Sequence, residues 1–445
     1  MKNKIFISIL ISIAVSGRCL LAQDAGKDLI LSLKQAQDYA VANNKELKTA
    51  KADVMASRAA LWETISNALP QLNGTGSVTD NLKMITTLLP GEFLGKPGEK
   101  IPVTFGSKYN SSGTVQASML LFNAPLLVGI ETSKLAKELS EQNLQRTELD
   151  TKESVSTAYF LILVSEKSLE LINGNLDNLN EMLKSTKAML AAGMAEQTDV
   201  DQMASNVSMV ENSKSSLERT IEVNYNILRF ELGVQAETKI KLTETLESLT
   251  EGIKVNDLLT QKFDINQNIS YKLMQGQESM SALILKTQKA SVLPTLSGFY
   301  NYGTSGMGDK MSELRWFQNS MAGLQLSIPI FASGQRYAKI KKAQYNLDKA
   351  RTSTEMVSDQ LQIQEKQLRY NLVNANNQYK TQKDNVEVSR RVYNSTENKY
   401  KQGMASSLDL TQANNLYLQA ESNYITSVMT LLQTRLAFDK LHNNL

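Results

Sequence analysis

"AAGMAEQTDVDQ" (residues 191–202) and "YKQGMASSLDLTQ" (residues 400–412) state one motif twice: Gly-Met-Ala, three mainly polar positions, Asp, an aliphatic residue, then Gln one residue later. Both copies close a long tract of helix-favouring residues. A glycine in that place ends an incoming helix by adopting the left-handed conformation. Thr198 or Ser406 is expected to cap the outgoing helix, with Asp409 three residues after Ser406 as in a capping box. The motif therefore reads first as a helix-to-helix turn, used twice.

Breakers between the tracts fall in two windows. All seven prolines, Pro70, Pro90, Pro97, Pro102, Pro125, Pro294 and Pro329, lie between 70 and 125 or between 294 and 329. Fourteen of the 22 glycines lie between Gly74 and Gly129 or between Gly298 and Gly334. The remainder is rich in Leu, Ala, Gln, Asn, Lys and Glu, which helices tolerate or favour. Leu169, Ile172, Leu176, Leu179, Leu183 and Leu190 form a narrow heptad-like stripe that packs one helix on another.

Within the windows, segments near 71–81, 112–122, 295–303 and 322–331 alternate apolar residues with Ser, Thr, Asn, Tyr and Gly, and are predicted strands. Such alternation suits a barrel with lipid outside and water inside. "GTSGMG" (303–308) reads as a loop tip. It is no phosphate loop, since no Lys-Ser or Lys-Thr follows.

The two halves keep a common ruler. Leu69-Pro70-Gln71-Leu72 recurs as Leu293-Pro294-Thr295-Leu296, Phe122 recurs as Phe331, and Gly193 as Gly403, at offsets of 224, 209 and 210. The first half is longer only between its two strands, which marks 81–111 as an exposed tip opposed by the shorter 304–319. Long helices are predicted over 123–192 and 333–402, opened by Asn123 and Ser333, each roughly 105 Å long at 1.5 Å per residue. Return helices are predicted at 197–232 and 405–440, with 32–68 and 262–292 completing the cycle. The first repeat thus occupies 23–235, a linker 236–260, and the second repeat 261–445. Four strands cannot close a barrel, and open edges are not tolerated in lipid. Three chains would supply 12 strands, so a symmetric homotrimer is expected.

Composition narrows the function. Residues 1–22, with Lys2 and Lys4, the apolar run Ile5–Val15 and Ala22-Gln23, have the layout of a signal peptide cut after Ala22. Cys19 permits a lipoprotein reading, which Arg18 opposes. Removing Lys2, Lys4 and Arg18 from the 48 basic residues leaves 45 against 45 acidic, so no basic field exists for nucleic acid. One histidine, His442, near the C-terminus, makes histidine metal sites and triads improbable. No acid/base pair stands out, and neither an enzyme nor a cofactor is implied.

The ordered set resembles the TolC family of bacterial outer-membrane efflux ducts. The residues that carry the resemblance are "LSLKQAQDYAVANNKELKTAKADVMASRAALWETISNALPQL", its partner "NQNISYKLMQGQESMSALILKTQKASVLPTLSGFYNYG", the passages "SMLLFNAP" and "GLQLSIPIFASGQR", and both Gly-Met-Ala turns. The resemblance implies a mainly α fold with a β-barrel portion: a trimer with a 12-stranded barrel in outer-membrane lipid and an α-helical tunnel through the periplasm. It implies a periplasmic adaptor and an inner-membrane transporter as partners. It places the turns Gly193-Met194-Ala195 and Gly403-Met404-Ala405 at the periplasmic tip, where the adaptor docks.

By the same resemblance, Asp199 and Tyr400 take part in holding the entrance shut, and Asp409 forms an acidic ring. The Arg of the family pattern is Ala405 here, and the second acidic ring falls on Gln412, so this lock is built differently. The competing reading is a surface coiled-coil stalk or adhesin. It accounts for the heptads but not for matched strand pairs or tip motifs repeated in register.

Overall fold

The computed structural model describes residues 28–90, 95 and 98–445. The expected signal peptide and Cys19 lie outside the described residues. The chain divides into two compact units: one comprises the stretches up to Asn44, Ser154–Ile253 and Gln382–Leu432, the other Lys45–Glu153, Lys254–Thr381 and Gln433–Leu445.

The second unit carries an antiparallel sheet of four strands, β2 (Gln71–Asp80), β5 (Tyr109–Phe122), β7 (Thr295–Gly308) and β8 (Arg315–Ser327), in the order β2-β5-β7-β8. Side chains alternate across a strand, so register assigns the faces. One face gathers Leu72, Val78, Val115, Ala117, Tyr300, Tyr302, Trp316, Leu324 and Leu326. The other is mostly polar, with Asn73, Thr75, Ser77, Ser112, Thr114, Gln116, Ser118, Asn301 and Asn319 beside Leu120, Phe299, Phe317 and Met321, and the Ser77 and Ser112 hydroxyls are 2.7 Å apart. An apolar, aromatic-bearing face opposite a polar one is the pattern of a strand set between lipid and water. Two glycines sit beneath rings: Trp316 lies over Gly306 and Phe299 over Gly323, their direct cross-strand partners. An added Cβ at Gly323 would come within 2.7 Å of the Phe299 ring.

The strands differ from their predicted extents. "GTSGMG" is not a loop tip but the end of β7, and β8 begins at Arg315. Its glycines and small polar residues have no apolar periodicity to read, yet sheet partners satisfy their backbone. The 81–111 segment carries its own antiparallel hairpin, β3 (Ile85–Pro90) with β4 (Lys100–Phe105). A bulge between Leu120 and Phe122 ends the β5–β7 ladder just before the helix.

That helix, α3, runs unbroken from Ala124 to Ala191, and its counterpart α8 from Gln335 to Lys401, 68 and 67 residues. Asn123 caps α3, its Oδ1 accepting from the Leu126 N–H at 3.0 Å. Ser333 does not cap α8. It takes φ 44° beside Gly334 at 78°, and α8 starts two residues later, its first turn held by an Arg336 guanidinium donating to the Pro329 carbonyl. The return helices are α4 (Gln197–Leu232) and α9 (Ser407–Leu441). Among the described residues no helix is long and apolar enough to cross a membrane.

The shorter helices are α1 (Leu33–Asn43), α2 (Lys45–Ser66) and α7 (Ile269–Ala290). A buried asparagine precedes α2 and α7 alike. The Asn44 amide donates to the Glu231 carbonyl at 2.7 Å, and the Asn268 amide to the Leu441 carbonyl at 2.9 Å. These pairs are related by the repeat offsets, 224 for the asparagines and 210 for the carbonyls. Asn268 also caps α7, so that helix begins at 269 rather than 262. Beyond the carbonyls, Gly233 and Asn443 both close their helices in the left-handed conformation, φ 70° and 56°. Where Gly233 lacks a Cβ against the Asn43 carbonyl, the Asn443 amide donates to the corresponding Gln267 carbonyl at 2.6 Å.

Two features of the first unit carried no sequence signal. β1 (Leu29–Leu31) pairs parallel with β6 (Ile240–Leu242), and the buried Tyr159 hydroxyl donates to the Leu31 carbonyl at 3.2 Å. Three-residue strands are too short for alternation to show. Between β6 and α7 lie two short helices, α5 (Leu246–Glu251) in the first unit and α6 (Val255–Thr260) in the second.

Candidate functional site

Both Gly-Met-Ala turns belong to the first unit, and they are built alike. Gly193 and Gly403 each take φ 73°. The Gly193 N–H donates to the Leu190 carbonyl (3.0 Å) and the Met194 N–H to the Met189 carbonyl (2.8 Å). At the second turn Gly403 donates to Tyr400 (2.9 Å) and Met404 to Lys399 (2.8 Å). This is the Schellman closure, in which two otherwise orphaned carbonyls find partners. A Cβ at either glycine would meet no other group, so the need there is conformational rather than steric.

The outgoing helices are capped differently. Ser406 and Asp409 form the expected reciprocal box: the Ser406 N–H donates to the Asp409 carboxylate (3.0 Å), and the Asp409 N–H to Ser406 Oγ (3.1 Å). In the first turn Glu196, not Thr198, is the cap residue, and the Asp199 carboxylate accepts from the Glu196 N–H at 3.1 Å. Thr198 sits one position inside the helix and donates its hydroxyl to the Glu196 carboxylate at 3.3 Å. Both helices start four residues after their glycine, so the two copies differ in the cap residue and not in register.

Asp199 thus has two tasks. One carboxylate oxygen holds its own cap, and the other accepts from the Ser407 hydroxyl at 3.5 Å, across to the second turn. Tyr400 turns elsewhere: half-buried, it packs with the cluster of Leu179, Met182, Met203, Val207 and Leu410, its hydroxyl 3.8 Å from Met189 Sδ. The structure brings Asp199 to Ser407 and Tyr400 to the first long helix, without joining the two. Ala405 is half-buried, and Gln412 is exposed.

Behind the turns, α3, α4, α8 and α9 share the buried cluster of Leu179, Met203, Tyr393 and Leu410. Polar residues interrupt it. The Asn414 amide donates to Asn175 Oδ1 at 2.8 Å between α9 and α3, both side chains buried, and the Tyr393 and Tyr417 rings stack at 5.8 Å. Asn175 stands one place before Leu176 of the apolar stripe. A polar residue beside an apolar stripe is the only sequence signal of this pair, because an apolar stripe by itself does not mark a buried amide.

Asp409 is solvated, and the Ser406 hydroxyl and N–H that donate to it hold its carboxyl below the usual aspartate range. Met194 and Met404, following the glycines, are 78% and 66% exposed. Exposed methionines beside paired backbone turns offer an adaptable apolar surface to another protein. Among the described residues no group of three or more His, Cys, Asp or Glu is placed to hold a metal ion.

A family model described as outer membrane efflux protein matches residues 36–234 and 282–444. The chain is 21% identical over 318 residues to the outer membrane protein TolC of Vibrio cholerae serotype O1, covering 71% of this chain and 68% of that one. It is 22% identical over 433 residues to the outer membrane efflux protein BepC of Brucella suis biovar 1, covering 87% and 89%. Among solved structures, the outer membrane protein VceC from Vibrio cholerae superposes with a TM-score of 0.74 at 14% identity, covering 92% of this chain and 95% of that chain.

Proposed function

The chain belongs to the outer membrane efflux protein family, and on that premise we propose that it is a passive duct. Three copies close one 12-stranded barrel in the outer membrane, and their helices form a tunnel that receives cargo from a periplasmic adaptor and an inner-membrane transporter. The observation that carries this reading is the β2-β5-β7-β8 sheet: two-faced, apolar against polar, with both edges open in one chain and a helix of 67 or 68 residues after each strand pair. Lipid cannot satisfy an open edge, so β2 of one copy pairs with β8 of the next. The stalk reading offers no use for such a sheet.

Cysteine pairing tests this cleanly, because Cys19 is the only cysteine among the 445 residues. Thr75→Cys on β2, combined in turn with Gln318→Cys, Asn319→Cys or Ser320→Cys on β8, is expected to give disulfide-linked species up to three chains in outer-membrane fractions. Absence of inter-chain species from every combination would remove the barrel.

The two turns are the periplasmic tip, with Met194 and Met404 at the adaptor contact. Asp199 and Tyr400 hold the tip by different means: Asp199 bridges to the second turn through Ser407, and Tyr400 ties its own helix to α3. Replacing both, Asp199→Ala with Tyr400→Phe, is expected to loosen the turns and raise leak. An antibiotic-sensitivity assay in cells checks this, and unchanged sensitivity at equal expression would end the gating role.

Asp409 gives the entrance one ring of three carboxylates, which attracts cations. Asp409→Ala is expected to lower cation selectivity in planar-bilayer recordings. Its carboxyl is held below the usual range, so selectivity in the parent protein persists as pH falls and is lost only below the ordinary aspartate range. Selectivity indifferent to the substitution would place Asp409 off the ion path.

A further inference from the structure

The mostly polar face of the β2-β5-β7-β8 sheet carries a single charged side chain. Arg315, the first residue of β8, pairs with Met307 of β7, which pairs with Asn110 of β5, which pairs with Thr79 of β2. Side chains alternate, so these four form one row at the end of the sheet away from the helices. The row through Asn73, Gln116 and Asn301 lies three steps nearer the helices, roughly 20 Å along the strands. Neither that row nor the two between contain a charge.

No acid offsets Arg315. Asp80 pairs with Tyr109 and lies on the apolar face, and Glu313 is taken by Lys310 at 3.0 Å. Arg315 is exposed and makes no ion pair with Asp309 or any other carboxylate among the described residues. The neighbouring Lys108 leans the other way, 5.1 Å from the centre of the Tyr109 ring on the apolar face. A guanidinium keeps its charge at every physiological pH and presents a planar fork of donors that grips two oxygens of a carboxylate, phosphate or sulfate at once. Here the fork has no internal partner to satisfy it.

Resting on the trimeric-duct reading, in which this face lines the lumen, we infer that three Arg315 guanidiniums ring the outer end of the barrel and form a binding site for oxyanions passing through it. The duct then favours cations at the Asp409 ring and anions at the Arg315 ring.

Magnitudes say where such a ring acts. Twelve strands about 4.8 Å apart and tilted about 40° enclose a circle roughly 24 Å across at the backbone. Charges are screened over about 30 Å at 0.01 M salt, about 8 Å at 0.15 M and about 3 Å at 1 M. The field of the ring therefore crosses the lumen in dilute salt. In concentrated salt only an anion in contact with a guanidinium feels it.

Planar-bilayer recording of the full-chain trimer in zwitterionic phosphatidylcholine tests this. In about 0.01 M potassium chloride, Arg315→Gln is expected to lower the anion-to-cation permeability ratio roughly twofold, opposite in sign to Asp409→Ala. Arg315→Lys, which restores the charge, restores the ratio, and the difference between glutamine and lysine fades at 1 M. Inorganic phosphate separates contact from field. Added at constant ionic strength, it is expected to reduce chloride current through the parent and not through Arg315→Gln. The lysine variant should fall between them, because an ammonium cannot hold two oxygens in a fork. Should the glutamine variant fail to give heat-modifiable trimer, the phosphate response of Arg315→Lys against the parent carries the test.

Equal permeability ratios for parent and Arg315→Gln in dilute salt would overturn the inference and leave the duct standing. That is also the result if Arg315 meets anionic headgroups of outer-membrane lipid instead of the lumen. Phosphate acting alike on the parent and Arg315→Lys would reduce the ring to a field without a grip and remove the oxyanion site. If the extracted parent is not a three-chain species and opens no channels, the duct reading falls and the ring with it.

Discussion

Val115→Lys is expected to abolish trimer formation in the outer membrane, while Thr114→Lys, one residue away, leaves it intact. Both positions lie on β5, an inner strand of the sheet, paired on one side with β2 and on the other with β7. Val115 shares its face with Leu72, Ala117, Tyr300 and Tyr302, and Thr114 shares the opposite one with Thr75, Ser112 and Gln116. A lysine facing lipid near mid-membrane costs about 2–4 kcal/mol per chain. Three symmetric copies multiply that penalty in the assembled barrel. A lysine facing the lumen keeps its water and costs little. Heat-modifiable trimer on gels of membrane fractions measures both, and equal loss for the two variants, or loss for Thr114→Lys alone, would mean that the faces are assigned wrongly.

Gly233→Val is expected to be the most damaging single change in the helical part. Gly233 ends α4 at φ 70°, and an added Cβ would stand 2.5 Å from the Asn43 carbonyl oxygen, a backbone atom with no rotamer to escape into. The left-handed conformation alone costs a side chain roughly 1–2 kcal/mol, and more when β-branched. With the collision, the loss should reach about 3 kcal/mol or more. Its repeat counterpart supplies the control. Asn443→Gly gives up the bond to the Gln267 carbonyl but relieves left-handed strain, so its net effect should stay within about 1 kcal/mol. Thermal unfolding of detergent-solubilised protein, followed by helical circular dichroism, compares the two. A Gly233→Val protein that melts with the parent would show that the junction yields freely.

Much of this architecture is legible in the residues because it is written twice. Gly193 and Gly403 announce identical helix ends, and the structure closes both with the same pair of hydrogen bonds. The proline-poor tracts after Phe122 and Phe331 become helices of 68 and 67 residues. Where the halves differ, residue type misleads. Ser333 is a good cap by propensity, yet its backbone is left-handed and caps nothing. Thr198 was the expected cap, but Glu196 reaches the place first.

What escapes reading is set by distant partners. Asn44 and Asn268 look like ordinary polar helix residues, and only the fold brings them to the Glu231 and Leu441 carbonyls. The β1–β6 pairing joins residues some 210 apart through two three-residue strands. Residues 303–308 are glycine and small polar groups apart from Met307, a composition that marks loops in water but serves in a strand whose neighbours supply the hydrogen bonds. The tip is mixed: the turns and the Ser406–Asp409 box follow from local chemistry, whereas the Asp199–Ser407 bridge and the Asn175–Asn414 pair join the two repeats and have no local signature.

The central claim is that the β2-β5-β7-β8 sheet is one third of a closed barrel. Native mass measurement of the protein extracted from outer membranes in mild detergent addresses it most directly. Three chains in a single species is the predicted result, and a monomer, or any assembly whose copy number is not three, would contradict it.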